Sequence, residues 1–198
     1  MMYSLFLSCP RGLEYVLQEE VSQLGLVVDK VSPQGVYGQA TLAVAYKLCL
    51  WSRIANRIQW VLFQGEAQNE KSIYKLCSQY EWPSLFNADK TFAIEFHGSS
   101  FGINNTMYGA MLIKDAIVDK FRQNKGLRPN IDKDQPDVKI HAYLSREQLT
   151  VSVDLTGYSL HQRGYRKVQG AAPLKENVAC ALLYRAKWPE LLKSNSSL

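Results

Sequence analysis

Apolar and polar positions alternate along this chain in two periods, and the switches between them mark out the elements. Leu5-Phe6-Leu7-Ser8-Cys9 is a short apolar run that predicts a buried strand, ended by Pro10-Arg11-Gly12. Leu13, Val16, Leu17, Glu20, Val21 and Leu24 then recur at helical spacing up to Gly25. Residues 26–32 read as a strand, Pro33-Gln34-Gly35 as a turn and residues 36–40 as the next strand. Thr41 is placed to cap a second helix whose apolar face carries Leu42, Ala45, Tyr46, Cys49 and Leu50. Residues 51–57 link it to a strand over 58–63. The order is βαββαβ, a ferredoxin-like unit.

After a polar boundary at residues 65–70 the pattern changes. A helix is predicted over 72–80, a turn or single helical turn over 82–86, and a strand over 91–96. A polar, glycine-containing loop from Gly98 to Asn105 could present backbone N–H groups to a ligand. The chain is organised around the helix and two strands after this loop. Ala110, Ile113, Ile117 and Phe121 form one face of the helix, with Thr106 as its expected N-cap and Gly126 as its expected C-terminal stop. Residues 138–144 and 149–155 alternate with period two, and the intervening Ser145-Arg146-Glu147-Gln148 suits a hairpin. Residues 174–185 have helical pattern, with Pro173 suited to the first turn and Trp188-Pro189 as the stop. The fold class expected is α+β: a ferredoxin-like amino-terminal domain (1–66), an α/β domain (67–157), and a basic linker with a C-terminal helix (158–198).

The 198 residues are 46% hydrophobic and 21% charged, enough for two small cores. The formal charge of +5 permits a polyanionic partner without requiring one. Its placement is more informative. Between Asp154 and Glu176 there is no acidic residue, while Arg163, Arg166, Lys167 and Lys175 fall in that interval beside His161. Cys9, Cys49, Cys77 and Cys180 form no CxxC, and with His97, His141 and His161 they make no zinc spacing, so no metal site is expected. Free thiols in a cytoplasmic protein are the expectation. Asp132, Asp134 and Asp137 lack the glycine and distal glutamate of a calcium loop and are read as loop-fixing groups. No apolar run approaches the ~18–20 residues of a membrane span. Trp51, Trp60, Trp82 and Trp188 are expected in cores or domain contacts.

Several short stretches, taken in order, carry a resemblance. They are Arg11-Gly12-Leu13-Glu14, Trp51-Ser52-Arg53-Ile54-Ala55, Lys114-Asp115-Ala116-Ile117-Val118-Asp119, Arg128-Pro129-Asn130-Ile131-Asp132 and Pro136-Asp137-Val138. Leu155-Thr156-Gly157, Leu160-His161-Gln162-Arg163-Gly164-Tyr165-Arg166 and Ala172-Pro173-Leu174-Lys175-Glu176 complete the set. Together they resemble the THUMP-domain RNA methyltransferases, and within them the amino-terminal part of the large-subunit ribosomal RNA guanine-N2 methyltransferases. The resemblance covers essentially the whole chain. It implies that the α/β domain is a THUMP domain holding structured RNA, ahead of a methyltransferase domain that uses S-adenosylmethionine. The glycine-rich cofactor loop and the Asn/Asp-Pro-Pro-Tyr motif of such a domain are not in this sequence, so the chain is expected to be an amino-terminal fragment that binds no cofactor and catalyses nothing.

Two groups of side chains are candidate RNA contacts. Arg163, Tyr165, Arg166 and Lys167 combine guanidinium forks for phosphate with a ring able to stack on a base. Lys114, on the helix that resembles the family's RNA-facing one, and Arg128, in the loop after it, are expected phosphate contacts. Lys175 and Glu176 resemble the start of a helix that borders the cofactor pocket in the full enzyme. The expected partners are structured RNA, specifically large-subunit ribosomal RNA, and the chain's own methyltransferase domain, with no membrane. The rivals are a fragment of a DNA adenine-N6 methylase and a non-RNA-binding module that braces a catalytic domain.

Overall fold

The computed structural model describes all residues except Ser100, Phe101, Gly102, Asn104, Tyr165, Gln169 and 195–198, and it leaves the side chains of Lys125 and Lys193 undescribed. The chain forms two units: Met1–Trp60 together with the residues from Leu155 onward, and Val61–Asp154. Each has its own hydrophobic core.

The first unit contains β1 (Tyr3–Ser8), α1 (Glu14–Leu24), β2 (Val27–Ser32), β3 (Gly35–Ala40), α2 (Leu42–Trp51) and the first part of β4 (Arg57–Glu66). The strands lie in the order β2-β3-β1-β4 and every pairing is antiparallel. This is the sheet that a ferredoxin-like βαββαβ order produces. Leu5 and Leu7 on β1, Leu17 and Val21 on α1, Val36 on β3, Leu48 on α2 and Ile58 on β4 are fully buried together. Gly25 stops α1 in the left-handed conformation at φ 108°, and the Thr41 side chain accepts the Val44 N–H at the start of α2.

The segment after Leu155 belongs to this unit as well. Leu160 and Ala181 are buried in its core, the latter on α6 (Glu176–Arg185). Residues 158–198, expected as a separate linker, are therefore partly core, because apolar groups on both sides of the basic stretch find burial here. Two local expectations also change. Helix α6 starts after Lys175, so Pro173 precedes the helix instead of occupying its first turn. Trp188-Pro189 does not end a helix but opens a further one, α7 (Trp188–Ser194), where a proline in the first turn loses no helical hydrogen bond.

The second unit holds the rest of β4, α3 (Glu70–Gln79), α4 (Trp82–Leu85), β5 (Phe92–Ser99), α5 (Thr106–Lys125), β6 (Val138–Ser145) and β7 (Gln148–Asp154). β5 and β6 pair in parallel, as they must when a helical crossover joins them, and β7 returns antiparallel to β6. Arg146 and Glu147, at φ 48° and 63°, make the two-residue hairpin turn. The stretch of β4 in this unit lies beside β7, where Gln64 Nε2 donates to Thr150 Oγ1 at 3.1 Å.

Helix α5 buries Ile113, Ala116, Ile117, Val118 and Phe121 against Phe92, Phe96, Ile140 and Ala142. Gly109 lets the helix and Phe96 pack closely, since an added Cβ would lie 2.8 Å from the Phe96 ring and displace it. The N-cap of α5 is Asn105, whose side chain accepts from the N–H groups of Met107 and Tyr108, so Thr106 is the first helical residue and not the cap. Trp82 is fully buried with Cys77 and Ile73, as a core tryptophan should be, whereas Trp51 and Trp188 are 60% and 45% exposed.

Candidate nucleic-acid interface

In the first unit the connection from α2 to β4 is gripped from both polarities. Glu20, on the buried side of α1, accepts from Ser52 Oγ at 2.7 Å, Arg53 N–H at 2.8 Å and Ile54 N–H at 3.2 Å. Arg163 approaches the same segment with donors. Its Nη1 donates to the Leu50 carbonyl at 2.8 Å, and its Nη2 donates to those of Cys49 at 3.1 Å and Ser52 at 2.7 Å. These carbonyls lie at the C-terminal end of α2, so a guanidinium there donates to them and opposes the negative end of the helix dipole. Arg163 is thus engaged at a helix terminus, which leaves fewer of its donors for phosphate.

Asn56 continues the same junction. Its N–H donates to the Ser8 carbonyl at 2.6 Å, and its own carbonyl accepts from Leu160 N–H at 2.8 Å. The buried Asn177 of α6 donates to Asn56 Oδ1 at 2.7 Å and to the Ile54 carbonyl at 3.3 Å. Residues 49–56 are thus joined by hydrogen bonds to Leu160 and Arg163, far away in sequence.

The remaining tail candidates sit around it. Arg166 is exposed and donates from Nη2 to the Leu174 carbonyl at 2.7 Å. Lys167 is exposed. Tyr165 lies outside the described residues. Lys175 is the residue before α6 and Glu176 its first residue. Glu176 Oε2 is buried with no hydrogen-bond partner among the described residues. His161 Nδ1 lies 2.6 Å from Ser159 Oγ, and burial, reinforced by the Lys175 charge, holds its ring below the ordinary histidine pKa.

In the second unit Lys114 Nζ lies 2.6 Å from Asp115 Oδ1 on the half-buried outer side of α5. Gly126, at φ 64°, ends that helix, and Arg128 stands exposed in the loop beyond it. Two of the loop aspartates hold its backbone. Asp132 accepts from the N–H groups of Asp134 and Gln135, and Asp137 accepts from Thr91 N–H at 2.9 Å and from Lys90 at 3.4 Å. Ser100, Phe101, Gly102 and Asn104, within the loop expected to present N–H groups, lie outside the described residues.

Comparison with known proteins matches these parts. Residues 4–59 match the model of the RlmL ferredoxin-like domain, and residues 67–154 match that of the THUMP domain. Over 198 residues the chain is 60% identical to the ribosomal RNA large subunit methyltransferase K/L of Legionella pneumophila strain Philadelphia 1, covering 100% of this chain and 28% of the relative. Among solved structures it is similar to a predicted N6-adenine-specific DNA methylase of Listeria monocytogenes, with TM-score 0.79 and 26% identity over 93% of this chain and 48% of that one. A candidate methyltransferase, SMU.472, complexed with SAH, matches with TM-score 0.81 and 27% identity over 94% of this chain and 49% of that one. The chain spans about a quarter of the length of the curated relative that it matches. The chain therefore carries a RlmL-type ferredoxin-like domain at residues 4–59, followed by a THUMP domain at residues 67–154.

Proposed function

We propose that this chain recognises structured RNA of the large ribosomal subunit and positions it for a methyltransferase domain that modifies an exocyclic guanine amine. The observation that carries the reading is the pairing of the RlmL-type ferredoxin-like domain with a THUMP domain, at 60% identity to a ribosomal RNA methyltransferase along the full 198 residues. The exposed cations fit it. Arg128, Arg166 and Lys167 reach solvent, and Lys114 lies beside the Asp115 carboxylate. Such groups bind phosphates and fix the orientation of a helix without reading its bases. A-form RNA is recognised largely in this manner, through shape and backbone.

S-adenosylmethionine supplies the methyl group in the larger enzyme, where Lys175 and Glu176, at the start of α6, would border its pocket. Chemistry on a base amine requires the base to leave its stack, so rigid placement of the flanking helix is this chain's contribution. The site of action is the cytoplasm, where the ribosomal substrate is found. Among the described residues no helix is long and apolar enough to cross a membrane.

The test is fluorescence anisotropy of the 198-residue chain with a large-subunit ribosomal RNA hairpin and a DNA duplex of equal length. Tighter binding to the RNA supports the proposal. Preference for the duplex would favour the DNA adenine-N6 methylase reading, which the Listeria neighbour motivates. Binding to neither at low salt would leave a bracing module.

A further inference from the structure

The face of the second unit's sheet opposite its hydrophobic core gathers a set of polar side chains that the RNA reading does not use. Strand alternation sends Phe92, Phe96, Ile140, Ala142, Leu149 and Val151 into the core. The intervening residues therefore share the other face: Glu95 and His97 on β5, Lys139 and His141 on β6, Asp154 on β7. In the parallel register Glu95 lies directly beside His141.

One ligand atom each from Glu95, His97 and His141 lies within 4.8 Å of the others. Glu95 Oε2 is 3.3 Å from His141 Nδ1 and 3.8 Å from His97 Nε2. A four-coordinate zinc ion with bonds of ~2.0–2.1 Å holds its ligand atoms roughly 3.3–3.5 Å apart. The observed separations are already close to that. Lys139 Nζ pairs with the other carboxylate oxygen, Oε1, which fixes the carboxyl so that Oε2 faces the two rings.

The surroundings of His141 supply an independent indication. Its side chain is 8% exposed, and both of its nitrogens face carboxylates, since Nε2 lies 3.6 Å from Asp154 Oδ2. That Nε2 has no hydrogen-bond partner among the described residues. A metal-ligating ring must be neutral and then carries one N–H, which can serve only one of the two carboxylates. With the proton on Nε2, directed at Asp154, the lone pair of Nδ1 points at Glu95 Oε2. A cation between those two atoms removes the repulsion. The resulting order, carboxylate to histidine to metal, is the usual orientation device of histidine ligands.

We propose that Glu95 Oε2, His97 Nε2 and His141 Nδ1 bind one divalent transition-metal cation of the zinc class, with Asp154 orienting His141. Two imidazoles and one carboxylate suit zinc, cobalt or nickel and disfavour magnesium and calcium, which prefer all-oxygen sites. The His97 side chain, 62% exposed, gives the ion a route in and leaves one coordination position for water.

The test uses the tag-free 198-residue chain after chelator treatment. Zinc titration by calorimetry and cobalt titration by visible absorption should both saturate at one ion per chain. Excess magnesium should not compete. The ring resonances of His97 and His141 should shift on zinc addition while that of His161 does not. His97→Ala alters an exposed side chain, leaves folding intact and should weaken zinc binding at least about tenfold. Glu95→Gln should do the same, and His161→Ala should not. Absence of saturable zinc binding would overturn the proposal, as would binding that His97→Ala leaves unchanged. Ring resonances of His141 that do not move on zinc addition would also overturn it.

Discussion

Arg163 Nη2 donates to the carbonyl oxygen of Ser52 at 2.7 Å across 111 positions of sequence. With the neighbouring bonds to Cys49 and Leu50 it closes the C-terminus of α2. Hydrogen bonds from a charged donor are each worth about 1.5–3 kcal/mol, less where solvent reaches them. Arg163→Ala should therefore lower stability by about 2–3 kcal/mol in urea denaturation, and Arg163→Lys should recover only part, because an ammonium cannot span three carbonyls as a planar fork does. RNA affinity of the folded variant should stay close to that of the original chain.

Glu20 is the acidic counterpart. It is 5% exposed and accepts three hydrogen bonds from residues 52–54. Glu20→Gln keeps the shape but places an amide N–H₂ among donors. A loss of about 2–4 kcal/mol is expected, read as a lower urea midpoint with an unchanged m-value. A variant as stable as the original would mean that the carboxylate does not organise the connection.

A pH effect is expected from Glu14. Its carboxylate accepts the N–H groups of Gln34 and Gly12 at 2.9 and 2.8 Å, and the Gln34 bond foremost holds its pKa below the ordinary 4.5. A folded-state pKa that is depressed contributes stability that is complete above the unfolded value and is lost as pH falls through the folded one. Stability should therefore decline below about pH 4.5, and Glu14→Gln should flatten that decline. Because the group is exposed the effect is small and shrinks in salt. Thermal unfolding across roughly pH 3–6 reads it.

The thiols offer a separate check on packing. Burial pushes Cys77 and Cys9 up to about 12, Cys9 with a contribution from Glu14. At about pH 8 neither should react with an aromatic disulfide reagent until the chain unfolds. Rapid modification of Cys77 in the native protein would show that the second core is not closed around it.

The larger architecture is legible in periodicity, because burial imposes it directly. The βαββαβ order, the α5 face ending at Phe121 and a hairpin over Ser145-Arg146-Glu147-Gln148 all arise from local pattern, although the strands run one residue further on each side and leave a two-residue turn. Cap positions are legible where one residue decides them, as at Thr41 and Gly126, and slip where two polar residues compete, as at Asn105-Thr106. Trp188-Pro189 misleads for a related reason, since proline both ends and begins helices. Long-range polar contacts are beyond pattern. Arg163 looks like a phosphate ligand in sequence because its three acceptors lie more than a hundred residues earlier. Glu20 sits at apolar spacing, a usable sign that its carboxylate is buried and bonded. The Glu95, His97 and His141 cluster depends on the parallel register of β5 and β6, which no spacing rule within one strand reveals.

The most direct test of RNA recognition is the salt dependence of hairpin binding by the original chain, Arg128→Ala and Arg166→Ala. The observed binding constant falls with salt by roughly 0.7–0.9 log units per log unit for each phosphate neutralised. Both variants should bind more weakly at low salt and lower the slope by about one such increment, with folding unchanged. Slopes and affinities identical to those of the original chain would contradict the assignment of these two side chains to the RNA surface.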